Sequence, residues 1–448
     1  MLGEERLKGI ADAVLRAATA DQTEVVLTTQ DEYLTRFAAN AIHQNVAETG
    51  GNVRIRSVIG KRIGVASAND FGKAALVDLV RNAEGAARLQ QENPEFQSLP
   101  EPQPIQTVDA YCESTAACTP EERAGGVGSI VRQAEAKGLT AAGAFSTSVD
   151  ELLVVNSLGT CAYHVGTTAS VMSVVMGETG TGYGAGVDKD VSALDPAEAG
   201  RIAVDKALRG ANPAQIEPGE YTVILEETAV ANMLFFLGYL GLGALAAQEG
   251  RSFMNGRFGE KVTGDEITIW DDGLDPRGIP LPFDFEGVPR RKVTLIERGV
   301  AKNVVYDSFT AGREPGKAST GHALTAPNAL GPIPIHLRMA PGSATIEEMI
   351  ASTERGIWVT RFHYTNPVHP VKTILTGMTR DGTFLIEEGR VTGPLKNLRF
   401  TQSILEAFEN VEMLGRESKM VESGFGSITT FAPAAKISGF RFTGATEF

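Results

Sequence analysis

Hydrophobic and polar positions along this chain change period several times, and the changes divide it into sections. In the opening MLGEERLKGIADAVLRAATA, Leu7, Ile10, Ala11, Val14 and Leu15 share one helical face. EVVLTTQDEYLTRFAANAIHQNV and GGNVRIRSVIGKRIGVASAND then alternate with period two around Gly-rich turns, which predicts paired strands. FGKAALVDLVRNAEGAARLQQ returns to helical spacing through Ala75, Leu76, Leu79, Val80 and Ala83. Residues 1–92 are therefore expected as an N-terminal α/β domain. The Pro-rich NPEFQSLPEPQPIQT opens an extended linker over 93–110.

A central α/β domain is expected over 111–214. TPEERAGGVGSIVRQAEAKG places Thr119 to cap a helix and Pro120 to open it. A long run rich in Val, Thr and Ser follows and predicts strands, among them the segment holding Cys161 and His164. GETGTGYGAGVDKDVSALD then carries Gly180, Gly182, Gly184 and Gly186. Its spacing is not the G-x-G-x-x-G of a dinucleotide cradle, and the next helix starts only near Asp195. A mobile or edge-strand loop is the expected role.

The remaining 215–448 is expected as a large, mostly antiparallel β-rich C-terminal domain, making the whole chain α+β. It opens with a buried strand, GEYTVILE, followed by Thr228 to Gln248, 21 positions without a charge. That length suits a membrane span. Asn232, Tyr239, Gln248, the internal glycines and acidic residues on both flanks favour a buried core helix instead. Two more helical pieces are expected. One is TIEEMIASTERG, capped by Thr345 with Glu348 closing the box; the other is TQSILEAFENVEMLG. No internal repeat is visible.

Composition narrows the class. At 448 residues and 42% apolar content the chain exceeds one core and fits a soluble globular protein. Its net charge of −14 repels phosphate backbones, which argues against direct nucleic-acid binding. GKR at 60–62 and VPRRK at 288–292 are short and read as solvated strand ends. The first residues lack the profile of a secretory signal. Three sparse cysteines, Cys112, Cys118 and Cys161, suit a reducing cytoplasm and have no zinc-knuckle spacing.

Several strings occur in one order over nearly the whole chain: TRFAANAIHQN, VNSLGT with the Gly-rich segment after it, PGEYTVILEETAVANML, FGEKVTGDEITIWDDG, FDFEGVPRRKVTLIERGVAKNVVYD, ASTGHA and MAPGSATIEEMIASTERGIWV. Together they resemble the TldD/PmbA family, cytosolic "modulator of DNA gyrase" proteins classed with metallopeptidases. The resemblance implies two related subunits that pair. A TldD-type half carries a zinc site, H-E-x-x-x-H on a helix plus a C-terminal cysteine; a TldE-type half lacks it. The pair processes peptides in a closed chamber.

The chain departs from the active pattern at each ligand. Leu234 to Gly243, on the helix after PGEYTVILE, offer neither His nor Glu, and no cysteine follows Cys161, so none stands near ESGFGSITTF. The resemblance is to the TldE-like half, with zinc expected only in an active TldD-like partner. Of the six histidines, His363 and His369 flank YTNPV, where Asp381 or Glu387 could join them; a pair of half-exposed strand-end histidines is the favoured reading. His322 and His336 are candidates to face a cleft and bind peptide. His43 and His164 read as sheet residues. Glu226-Glu227 and Asp271-Asp272 are adjacent doublets whose members point to opposite faces if they lie in strands.

These observations lead to one expectation with two alternatives. The expected function is a metal-free subunit, pairing with a TldD-like subunit or with itself. It would enclose an extended peptide by β-augmentation, with no metal ligands of its own and no nucleic-acid or membrane partner. The alternatives are a stand-alone metallopeptidase built on His336, His363 and His369, and a non-enzymatic gyrase or toxin–antitoxin modulator. Phe440, Phe442 and Phe448 in GFRFTGATEF are the candidate exposed aromatics of a subunit interface.

Overall fold

The computed structural model describes residues 1–423 and 428–445. Its first sheet has six strands: β1 (Gln22–Ala38), β2 (Ala41–Ile59), β3 (Arg62–Ala68), β4 (Thr140–Asn156), β5 (Cys161–Met176) and β6 (Thr181–Asp188), in the order β3-β2-β1-β4-β5-β6. All its pairings are antiparallel. β1 pairs with β4, so the sections on either side of residues 93–110 share this sheet.

Helices α1 (Glu4–Ala17) and α2 (Lys73–Leu89) bury their apolar stripes with Val25, Leu27, Val53, Ile55 and Leu153. A short α3 (Glu113–Ala116) precedes α4 (Pro120–Glu135) and α5 (Pro196–Arg209), which cover the other half of the same face through Ile130, Ala134, Ala199 and Ala203. The expected caps are present: Thr119 and Glu122 form a capping box, and Asp195 accepts from the Glu198 N–H.

The Gly-dense segment is the edge strand β6, and its glycines have a packing reason. A Cβ on Gly182 would lie 2.0 Å from the Ala203 carbonyl, and one on Gly184 2.0 Å from that of Ala199. Alternate glycines thus let α5 lie directly on the strand, which a phosphate cradle would not need.

The second sheet has eleven strands: β7 (Gly219–Leu225), β8 (Ile269–Asp271), β9 (Val293–Glu297), β10 (Val300–Ala301), β11 (His336–Met339), β12 (Arg355–His369), β13 (Ile374–Glu387), β14 (Arg390–Pro394), β15 (Leu398–Ser403), β16 (Val411–Ser423) and β17 (Ile428–Ala445). It is mixed, because β11 runs parallel to β17 and β7 parallel to β12. β7 also pairs with β17, which closes β7, β12, β13, β15 and β17 into a ring. Closure covers the edge that β17 would otherwise present. Phe440 and Phe442 are therefore 1% and 2% exposed, with ring centroids 5.4 Å apart, and do not form the surface expected of them. Phe448 lies outside the described residues.

The uncharged stretch forms two helices, not one: α6 (Glu227–Gly241) and α7 (Ala244–Gln248). They break at Leu242 and Gly243, where a Cβ on Gly243 would lie 2.1 Å from the Pro332 carbonyl. Leu234 and Leu237 on α6 are fully buried, each contributing about 1.5–3 kcal/mol. No helix among the described residues is long and apolar enough to cross a membrane. The remaining helices, α8 (Ser308–Gly312), α9 (Ile346–Ala351) and α10 (Ile404–Glu409), are short. α9 has the Thr345–Glu348 box. α10 is only the middle of the expected helical piece, whose flanks join β15 and β16.

Candidate functional site

The face of the six-stranded sheet opposite its helices is divided in two. Around Val26, Leu152, Val154 and Ala162 it is apolar and receives the fully buried Phe283 from the loop between β8 and β9. Further along, Gln30, Glu32, Ser146, Ser148, Thr168 and Ser170 make it polar, and these residues floor a groove beneath the C-terminal body. The cavity over this floor is about 250 Å³. It shares Ser170, Val187 and Glu422 with a larger cleft of about 420 Å³ walled by β6 and β16. That volume lies within the roughly 300–1,000 Å³ of ligand sites.

The N-terminus of α6 opens into the larger cleft. Glu226 is its N-cap and Glu227 its first residue, so the doublet sits at a strand–helix junction and not within a strand. Both carboxylates line the same cleft, the reverse of the opposite-face geometry expected of them. The helix dipole favours negative charge here. Each carboxylate has its own ammonium. Lys206 Nζ on α5 donates to Glu226 Oε2 at 2.6 Å, and Lys419 Nζ on β16 lies 3.1 Å from Glu227 Oε1. Thr360 Oγ1 also donates to Glu226, at 3.4 Å. Burial alone would lower the Lys419 pKa; Glu227 outweighs it and raises it.

A pin holds the two halves of the groove together. Beside Phe283, the Arg56 guanidinium bridges Glu24, at 2.5 Å, and Glu286, at 3.1 Å. Burial raises the Glu24 carboxyl despite Arg56. It also pushes Asp284 up to about 7, with Glu286 adding to the effect, although Asp284 accepts the backbone N–H groups of Glu286, Val288 and Ala323. The groove is thus set by side chains from both sheets.

The candidate histidines fall into two groups, neither in the groove lining. His322 and His336, 1% and 7% exposed, meet at the fully buried Asp271. Asp271 Oδ1 lies 2.8 Å from His322 Nε2, and Oδ2 accepts the backbone N–H of His336 at 2.7 Å. An ionised Asp271 only accepts, and it faces His322 Nε2, while Nδ1 lies 2.9 Å from both the hydroxyl and the carbonyl oxygen of Thr320. Burial opposes the Asp271 charge, but His322 beside it holds the carboxyl well below its usual range. Burial and the nearby Arg290 push His336 down to about 3. Arg290, read as part of a solvated strand end, is itself buried.

His363 and His369 sit on β12 opposite Met378 and Ile374. His369 Nδ1 accepts the Lys372 N–H at 3.3 Å, and Asp381 pairs with Arg361 instead of with either histidine. His43 lies exposed on β2, and His164 is on β5, with its ring edge to face with Phe283.

Fold and groove define an α+β protein of two sheets with a preformed interdomain cleft of mixed polar and apolar lining. Residues 69–211 match the model of the PmbA/TldA metallopeptidase central domain, and 218–444 that of the C-terminal domain. The chain belongs to the TldD/PmbA family. It is 26% identical over 401 residues to a Haemophilus influenzae "Metalloprotease TldD homolog", covering 82% of this chain and 80% of the relative. A Buchnera aphidicola protein of the same description is 30% identical over 234 residues, where half of this chain matches 46% of the relative. The fold matches the crystal structure of TldE from Thermococcus kodakarensis with a TM-score of 0.89 at 22% identity, over 98% of this chain and 100% of that one. A Thermotoga maritima candidate modulator of a DNA gyrase matches at 0.86 and 18% identity, over 98% and 100% of the two chains.

The family resemblance implies zinc on the helix after β7, and the residues of α6 from Leu234 onward do not fit it. Both carboxylates are committed to lysines, and the helix beyond them presents Asn232, Phe235 and Phe236 with no imidazole. Among the described residues, no three His, Cys, Asp or Glu side chains are grouped to hold a metal ion. Gly424 to Ser427, part of the stretch where a late cysteine is expected, lie outside the described residues, and none of them is a cysteine.

Proposed function

We propose that this chain is the metal-free, TldE-like subunit of a peptide-processing pair, with the interdomain groove as the place where an extended peptide lies. The observation that carries this reading is α6, where Phe235, Phe236 and Leu240 stand in the stretch that an active subunit would need to furnish with imidazoles around an ion. At its mouth two carboxylates line the cleft, each paired with a lysine. Among the described residues the outer edge of β6 has no strand partner, and it walls the cleft, so peptide main chain can add to it. The floor's hydroxyls then meet side chains of any kind, while Glu32 and Glu422 bias the groove against acidic ones. Chemistry belongs to a TldD-like partner; this chain binds and orients.

Zinc analysis of the purified chain, with peptide cleavage assayed alone and mixed with an H-E-x-x-x-H-bearing relative, tests the proposal. Cleavage should need the relative. About one zinc per chain, lost in His363→Ala/His369→Ala, would return the chain to the stand-alone metallopeptidases.

A further inference from the structure

Beside the Asp271 cluster stand several buried nitrogens that the described residues leave without a hydrogen-bond partner. They are Arg290 Nε and Nη1, Arg338 Nε, His336 Nδ1 and Trp270 Nε1. We infer that Arg290, His336 and Arg338 form a binding site for one small monovalent anion, a halide or a carboxylate the size of formate. The site lies apart from the proposed peptide groove and does not rest on it.

The strands bring these groups together. His336 and Arg338 are two residues apart on β11, so both project from one face, while Leu337 between them enters the core. Trp270 is opposite Arg338 on β8, and its indole joins the same face. Arg290 comes in from the run before β9. Gly273 shows where it meets His336: a Cβ there would stand 2.6 Å from Arg290 Cδ and 3.1 Å from His336 Nδ1. Glycine thus keeps the ground between guanidinium and imidazole clear of a side chain. Chemistry sets the sign of the ligand. Guanidinium and indole N–H groups only donate, so four of the five unpartnered atoms can be satisfied only by an acceptor. Arg290, His336 and Arg338 are 3%, 7% and 4% exposed, which makes bare donors costly here. The neighbouring carboxylates are already committed. Asp271 serves His322 and the His336 N–H, and Asp284 accepts three backbone N–H groups. Asp275 holds Arg277 and, at 3.3 Å, Arg338 Nη1. Burial pushes both buried guanidinium groups down from their usual range in spite of these carboxylates. Packing limits the ligand to a few atoms, since a Cβ on Gly278 would already lie 2.8 Å from Arg338 Nη2. An anion held there ties β8, β11 and the connection between β8 and β9 to one another.

Thermal unfolding of the full chain, dialysed free of halide, reads out the site. Ionic strength is held constant with sodium gluconate, whose anion is too large to enter. Sodium bromide, and separately sodium formate, should each give a saturable rise in midpoint of roughly 2–4 °C. Formate acting at the lower concentration marks the occupant as a carboxylate, and bromide doing so marks it as a halide; either supports the site. Arg290→Met removes the guanidinium, whereas Gly273→Ala keeps every charge and fills the ground beside it. Both should lose the rise. In crystals soaked with sodium bromide, an anomalous peak should lie at hydrogen-bonding distance from the Arg290 guanidinium. No rise in the wild type, an equal rise in folded Arg290→Met or Gly273→Ala, or water in place of the bromide peak overturns the inference. Should Arg290→Met fail to fold, Gly273→Ala and the bromide peak decide by the same criteria.

Discussion

The C-terminal body holds two clusters of ionisable groups, and they differ in what surrounds them. At the α6 mouth, Glu226 and Glu227 face a cleft and are matched one to one by lysines. At Asp271, one carboxylate is enclosed by His322, the His336 backbone and Arg290, without contact with the groove. The first can exchange partners with a ligand. The second can only hold the fold, tying β8, β11 and the 320–322 loop together. Residue type alone would have ranked them the other way, since a His–Asp–Thr set suggests chemistry and a Glu–Lys pair suggests a surface.

Breaking the enclosed cluster should have the largest effect. Asp271→Ala strands His322 Nε2 and the His336 N–H in the core, and should cost about 3–5 kcal/mol in urea unfolding. A loss below about 1 kcal/mol would mean that water reaches the site.

Acid sharpens the contrast next. His164, half-buried against Phe283, has its pKa lowered by desolvation from 6.5 to about 4. Above 6.5 the folded and unfolded chains are both neutral there. Below it the unfolded chain takes up a proton that the folded one refuses, so stability falls between pH 6.5 and 4. Relative to His164→Gln, the wild type should lose about 2–3 kcal/mol over that window, visible as a steeper slope of unfolding free energy with pH. Equal slopes would place a proton on His164 in the folded state.

At the cleft the effect on stability should be smaller. Lys206→Met leaves Glu226 beside an open groove where water can replace the ammonium, and should cost about 1–2 kcal/mol by thermal unfolding. A loss as large as that of Asp271→Ala would erase the distinction between the two clusters. Smallest of all, His363→Ala/His369→Ala should change stability by less than about 0.5 kcal/mol, since neither ring is buried.

Local signals were legible where local physics decides. Thr119, Asp195 and Thr345 cap helices because a side-chain oxygen three residues before a free N–H needs nothing from the rest of the chain. The α6 mouth was missed for an identifiable reason. An acidic doublet after an apolar strand and before TAVANML is also a helix-start signature, and treating it as strand sent the two carboxylates to opposite faces. Lys206 and Lys419 carried no signal at all, lying 20 residues before Glu226 and far beyond Glu227 in the chain.

By itself the sequence determined the α+β class, the order of sections, the buried character of 228–248 and the loss of imidazoles from that helix, because each follows from period, composition or residue identity. Tertiary structure alone decided the rest. Ring closure through the β7–β17 pairing buried Phe440 and Phe442. Close approach of the Pro332 carbonyl broke the long helix at Gly243. Long-range packing brought two lysines to two glutamates and sealed His322 and His336 around Asp271. Charge pairing and burial depend on which distant surfaces meet, and no spacing along the chain encodes that distance.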